Sequence, residues 1–218
     1  MTAKWKHVSM MFALGVVGAT FVLPPKPEAA RPGLPSFVAD PLGLETAGAG
    51  ATAGAAVVDG PLEREQRALT EFIARRYRIA ETAAYHFVLI AYRAGEQYRV
   101  DPLLILAVMA IESRYNPVAE SVMGAKGLMQ VIPKYHQEKL FDHGGEHALL
   151  DPEVNILVGA QILREYQRRF GDTETALQMY AGAFDEPTSR YANKVFEEKA
   201  RLDAVRWKAR KPQNGQSV

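Results

Sequence analysis

Leu103-Leu104-Ile105-Leu106-Ala107-Val108-Met109-Ala110-Ile111-Glu112 sets nine apolar residues in a row against one carboxylate. A run of this length exceeds a typical buried strand and leaves no polar face, so it reads as a helix buried on nearly all sides. Asp101-Pro102 stands immediately before it. Asp is a good N-cap, and proline tolerates the first helical position because its missing N–H has no partner there anyway. The helix must end by Asn116, since Pro117 disfavours the helical conformation in the residue before it. Glu112 therefore falls in the last turn of a buried helix. Desolvation and the negative end of the helix dipole both disfavour its charged form, and both raise its pKa. A carboxyl that keeps its proton near neutral pH is what general acid catalysis requires. The competing structural roles for Glu112 are an ion pair with Arg114 and simple solvation where the helix emerges.

Working outward, Asp151-Pro152 repeats the same start signal, with Ile156, Gly159, Ile162, Leu163, Tyr166 and Phe170 at helical spacing until Gly171. Thr173 is expected to cap a further helix through Ala176, Leu177 and Tyr180. The stretch from Pro187 through Tyr191, Val195, Phe196 and Leu202 reads as another. Toward the N-terminus, Pro61 opens a pattern in which Leu69, Phe72, Ile73, Tyr77 and Ala80 recur at spacings of three and four. It continues through Phe87, Leu89, Ile90 and Tyr92 and is expected to stop at Gly95. No alternating pattern of strand length and no internal repeat appears, so the expected fold class is mainly α.

A chain of 218 residues with 48% hydrophobic content buries one sizeable core, which predicts one domain with extensions. Lys and Arg number 26 against 25 Asp and Glu, a balance that offers no global attraction for nucleic acid. The absence of cysteine excludes a disulfide framework, a thiol nucleophile, a thiolate metal site and a lipid-modified cysteine. Lys4, Lys6 and His7 precede an uncharged, mostly apolar run from Val8 to Leu23, and Pro24, Pro25 and Pro27 follow. That order predicts a secretory signal, with Ala19 as a possible cleavage position, or a short membrane anchor over residues 1–23. Residues 24–60, dominated by Pro, Gly and Ala, read as a flexible linker. Residues 61–84 are expected to form an N-terminal helical extension, 85–205 the catalytic domain and 206–218 a disordered tail. The expected location is outside the cytoplasm, periplasmic or tethered to the inner membrane.

The segment Glu112-Ser113-Arg114-Tyr115-Asn116-Pro117-Val118-Ala119-Glu120-Ser121-Val122-Met123-Gly124-Ala125-Lys126-Gly127-Leu128-Met129-Gln130 resembles the signature of the soluble lytic transglycosylase family, with Tyr115 as an aromatic variant. Asn155-Ile156 with Gly159, and Ala176-Leu177 leading to Tyr180, fall where that family has its second and third motifs. The resemblance implies a lysozyme-like, all-helical catalytic domain with an extra N-terminal helix. It further implies cleavage of the β-1,4 bond between N-acetylmuramic acid and N-acetylglucosamine in peptidoglycan glycan strands. By the same resemblance Glu112 protonates the leaving oxygen, and its carboxylate then takes a proton from the muramyl 6-hydroxyl, closing a 1,6-anhydro ring. No second acidic residue is linked to the motif, in contrast to the paired carboxylates of ordinary retaining glycosidases. Carried over position by position, Ser121 and Gln130 hydrogen-bond the sugar, Met129 lines the cleft, and Tyr180 positions Glu112 with its hydroxyl. Gly124 and Gly127 serve backbone geometry, letting the loop approach the glycan closely. The chain departs from the family at Ala181, where an asparagine is usual, and at Tyr135, where a threonine is usual.

Asp142-His143-Gly144-Gly145-Glu146-His147 clusters two histidines with two carboxylates, but the glycine pair argues against a helix aligning them, and no metal or cofactor is expected. Arg64, Arg67, Arg75, Arg76 and Arg78 are interleaved with Glu63, Glu65 and Glu71 and read as a solvated helix face. Two other functions remain open on the sequence: a catalytically silent module that binds the cell wall, and a hydrolytic goose-type lysozyme.

Overall fold

The structure is a computed structural model that describes residues 60–183 and 186–211. Seven α-helices lie among the described residues: α1 (Pro61–Tyr77), α2 (Glu81–Tyr98), α3 (Pro102–Glu112), α4 (Gln137–Leu140), α5 (Pro152–Phe170), α6 (Thr173–Tyr180) and α7 (Arg190–Arg210). The described residues contain no strand, only isolated antiparallel bridges pairing Glu120 with Lys126 and Lys126 with Val131. The mainly α class expected from the sequence is what is observed. No helix among the described residues is long and apolar enough to cross a membrane. The segments expected to be signal or anchor and linker lie outside the described residues.

The apolar decapeptide forms α3 as expected. The Asp101 carboxylate accepts from Leu103 N at 2.9 Å, and every residue from Leu103 to Ala110 is buried. Each larger side chain of that run contributes about 1.5–3 kcal/mol through the area it removes from water. α3 packs against α2 and α7, α1 lies across α2 and α7, and α5 joins α2 to α6. Asp151 caps α5 by accepting from Glu153 N at 2.8 Å, and Gly171 ends it in the left-handed conformation at φ 83°.

Four boundaries differ from expectation. The pattern from Pro61 is broken into two helices at Arg78, which takes φ 57° and donates its N–H to Ala74 O. Gly95 is not a stop. It sits buried inside α2 because a Cβ there would lie 2.7 Å from Val100 O and 3.2 Å from the Pro102 ring. The cap of α6 is Asp172, whose carboxylate accepts from Thr175 N at 2.7 Å, and Thr173 is the first helical residue. Finally, α7 starts at Arg190 instead of Pro187 and runs to Arg210, so residues 206–210 of the expected tail are helical. Arg210 has a reason to stay ordered, since its guanidinium pairs at 2.6 Å with the buried carboxylate of Glu65 in α1.

Candidate active site

Glu112 is the last residue of α3, and the chain beyond it is held by several contacts. Ser113 donates its hydroxyl to Leu128 O at 2.8 Å, which fastens the following loop to the helix end. Arg114 and Tyr115 then turn the chain with φ values of 53° and 64°. Two consecutive left-handed residues without glycine are costly and persist only where the surroundings hold them. Tyr115 supplies the hold: it is buried, its hydroxyl reaches back to Leu106 O at 2.9 Å, and its ring packs edge-on against Tyr77 at 4.8 Å. The Arg114 guanidinium lies over the Tyr77 ring at 5.8 Å.

The carboxyl itself is held by Tyr191, on the first turn of α7, whose hydroxyl donates to Glu112 Oε1 at 2.6 Å. Burial pushes the Glu112 pKa up to about 7, with the Tyr191 bond pulling the other way. That is the direction anticipated from the apolar run. Tyr180 was expected to position Glu112. It lies near enough that the Glu112 charge helps burial hold its hydroxyl well above the usual range, but it donates to Met129 O at 2.8 Å. The hydroxyl bonded to Glu112 is that of Tyr191, which sequence reasoning did not single out. Its only local mark is a tyrosine on the first turn of a helix, 79 positions from its partner.

The loop 119–131 carries the other expected residues. Ser121 Oγ accepts from Ala125 N at 3.0 Å and Met123 N at 3.3 Å. Gln130, itself at φ 50°, donates Nε2 to Ala119 O at 3.1 Å and Gly127 O at 3.0 Å. Both side chains knit the loop to itself. Met129 does not line a cleft. Its side chain is fully buried against Gly159 of α5, where a Cβ would come within 2.5 Å of its sulfur, and only its carbonyl is turned toward Tyr180. Gly124 adopts φ 79° in open space. Gly127, at φ 74°, answers to packing, because a Cβ there would stand 2.2 Å from Asn155 Nδ2. Asn155 is fully buried and holds the loop at two points, accepting from Met129 N at 2.7 Å and donating to Lys126 O at 2.8 Å, while it also donates to Leu149 O at 2.9 Å. Asn155 and Gly159, one turn apart on α5, thus seat the segment that ends at Gln130. Among the described residues no group of three or more His, Cys, Asp or Glu is placed to hold a metal ion.

The family model described as Transglycosylase SLT domain matches residues 89–202, just over half of the chain. The chain belongs to this family. The resemblance carried by residues 112–130 is thereby borne out, and the described residues are mainly helical, as the expected class requires. Similar proteins include a transglycosylase of Enterobacteria phage PRD1, 38% identical over 48% of this chain and 39% of that protein. A membrane-bound lytic murein transglycosylase C of Serratia proteamaculans is 34% identical over 49% of this chain and 29% of its own length. Among solved structures, the 70 kDa soluble lytic transglycosylase of Escherichia coli is similar with TM-score 0.42 and 19% identity, covering 71% of this chain and 29% of that one. The chain spans well under half the length of these relatives. The matched SLT region begins inside α2 and ends inside α7, so it contains Glu112, Asn155, Tyr180 and Tyr191, while α1 precedes it.

Proposed function

We propose that this SLT protein is a peptidoglycan lytic transglycosylase, in which Glu112 cleaves the bond between N-acetylmuramic acid and N-acetylglucosamine and leaves a 1,6-anhydro end. The observation that carries the reading is the Glu112 carboxyl: half-buried at the end of α3, pushed up to about 7 by desolvation, and bonded at Oε1 by the Tyr191 hydroxyl. In its protonated form Glu112 gives its proton to the glycosidic oxygen as the bond to the muramyl anomeric carbon breaks. The resulting carboxylate then removes the proton of the muramyl 6-hydroxyl as that oxygen bonds to the same carbon. The proton returns to Glu112, no water is consumed, and the enzyme ends as it began. Ser121 and Gln130 flank the sugar through the loop that they brace, and Gly124 leaves its surface open. The protein works on glycan strands outside the cytoplasm, with residues 1–23 as signal or inner-membrane anchor, 24–60 as linker and 85–205 as the catalytic domain.

The test is mass spectrometry of fragments released from purified peptidoglycan by the full chain, with Glu112→Gln as control. Anhydro products, each lighter by one water than the hydrolytic counterpart, from wild type and none from the variant are expected. Reducing ends alone would replace the reading with a lysozyme. Binding without release would make the chain a silent wall-binding module.

A further inference from the structure

A buried carboxylate unused by the proposed chemistry lies on α7. Glu198 is 2% exposed, and three groups converge on it: the Tyr77 hydroxyl at 2.6 Å, Arg76 Nε at 3.2 Å and Arg201 Nη1 at 2.8 Å. Two of the three come from α1, which lies ahead of the region that the SLT family model matches. The position of Glu198 on α7 matters. It is seven residues, close to two turns, beyond Tyr191, so whatever fixes Glu198 fixes the face of α7 from which Tyr191 reaches Glu112. The other end of the same tyrosine meets the site from its second side, because the Tyr77 ring packs on Tyr115 and under Arg114, the two left-handed residues that follow Glu112 almost directly.

We propose that Tyr77 is a positioning residue for Glu112: its ring holds the Arg114–Tyr115 turn at the end of α3, and its hydroxyl, through Glu198, holds the helix that carries Tyr191. The α1 helix is then part of the working site and not an appendage of the domain. The inference rests on the proposed role of Glu112, but its geometry can be read without turnover. The titratable groups facing Glu112 are Tyr180 from α6 and Tyr191 from α7. Tyr77 bonds to Glu198 and packs on Tyr115 and Arg114, so an effect of changing it on Glu112 travels through the turn and α7.

The experiment is a carbon-13 NMR titration of the Glu112 carboxyl in the full chain, assigned by its loss in Glu112→Gln, in wild type, Tyr77→Phe and Tyr77→Leu. Loosening the turn admits water and lowers the titration midpoint, whereas loosening α7 weakens the Tyr191 bond and raises it; burial is the larger influence on Glu112, so losing ring and hydroxyl together shifts the midpoint downward. Tyr77→Leu, which loses ring and hydroxyl, is expected to lower it by about half a pH unit or more. Tyr77→Phe, which keeps the ring on Tyr115, is expected to recover part of that shift, and it remains informative should the leucine variant fail to fold. Turnover measured in parallel should show kcat falling with KM little changed. A midpoint that stays put in both variants, even with a lower melting temperature, would make Tyr77 a structural residue only and overturn the proposal. Wild type that titrates near neutrality, responds to Tyr77 substitution and yet releases no glycan fragments would instead remove the enzymatic reading and leave the coupling standing.

Discussion

Replacing Glu112 by glutamine is expected to stabilise the protein at neutral and alkaline pH and to leave it unchanged in acid. The folded chain holds this carboxyl at about 7 against an ordinary 4.5. Below about pH 4.5 the folded and unfolded states both carry the proton, and the residue contributes no pH dependence. Between about 4.5 and 7 the unfolded wild type releases a proton that the folded wild type retains, so its stability falls relative to the glutamine variant. Integrated over that window the deficit is about 3 kcal/mol, and it stays level at higher pH. Glutamine keeps an oxygen to accept the Tyr191 hydroxyl, which bonds Glu112 Oε1 at 2.6 Å, so the variant removes the charge with little change in shape. Urea denaturation followed by far-ultraviolet circular dichroism, repeated from about pH 4 to about pH 8 on both proteins, measures the difference directly. Every other titrating group is common to the pair and cancels. A stability difference that is flat across the range, or a wild type that gains on the variant as pH rises, would refute the claim that burial dominates at Glu112.

Tyr191→Phe removes the hydrogen bond that lowers the Glu112 pKa, so the midpoint should move above about 7 and the alkaline limb of turnover should shift upward, opposite in sign to the effect expected of Tyr77→Leu; a limb moving down would contradict the assignment. Asn155→Ala leaves Met129 N and Leu149 O without their buried bonds, with Lys126 O keeping only Val131 N, and is expected to cost about 3–5 kcal/mol, read as a lower urea midpoint at unchanged m-value. A loss under about 1 kcal/mol would mean that Asn155 does not hold the loop. Gly127→Ala and Gly124→Ala share a left-handed φ but differ in space: the first Cβ meets Asn155 Nδ2 at 2.2 Å and Leu149 O at 2.4 Å, the second meets nothing within 4 Å. The first should lower the melting temperature far more, with about 1 kcal/mol expected for the second; equal losses would show that conformation alone decides both.

Where cap, periodicity and stop agreed, the sequence was sufficient. Asp101-Pro102 and the nine apolar residues specify α3, and Asp151-Pro152 with Gly171 specify α5, because side-chain capping and left-handed glycine are local chemistry. Arg78 was illegible for the opposite reason: it takes the left-handed cap without being glycine, so nothing in its neighbourhood separates α1 from α2. Gly95 misled because a glycine needed for close packing and one needed for a cap are the same letter, and only the fold reveals that Val100 O lies opposite. The site divides along the same line. Glu112 was legible as a carboxylate at the end of an apolar helix. Tyr191 was not, since its role comes from α7 packing on α3, and the ordering of Arg210 by Glu65 is likewise tertiary.

A single carboxyl that serves first as acid and then as base works best with a pKa close to the pH at which it operates, since a stronger acid would arrive without its proton and a weaker one would not take the second. Burial alone drives Glu112 upward, and one hydrogen bond from Tyr191 restrains it at about 7. That bond occupies Oε1 and leaves Oε2 for the carboxyl proton. Tyr180 stands close enough to feel the Glu112 charge, and were its hydroxyl to donate as well, the carboxylate would be favoured and the acid lost at neutral pH. A tyrosine has one proton to donate, and Tyr180 directs it to Met129 O at 2.8 Å. The backbone of the loop seated by Asn155 therefore helps to set the acidity of a residue it does not bond: by engaging the second tyrosine, it leaves Glu112 with a single donor.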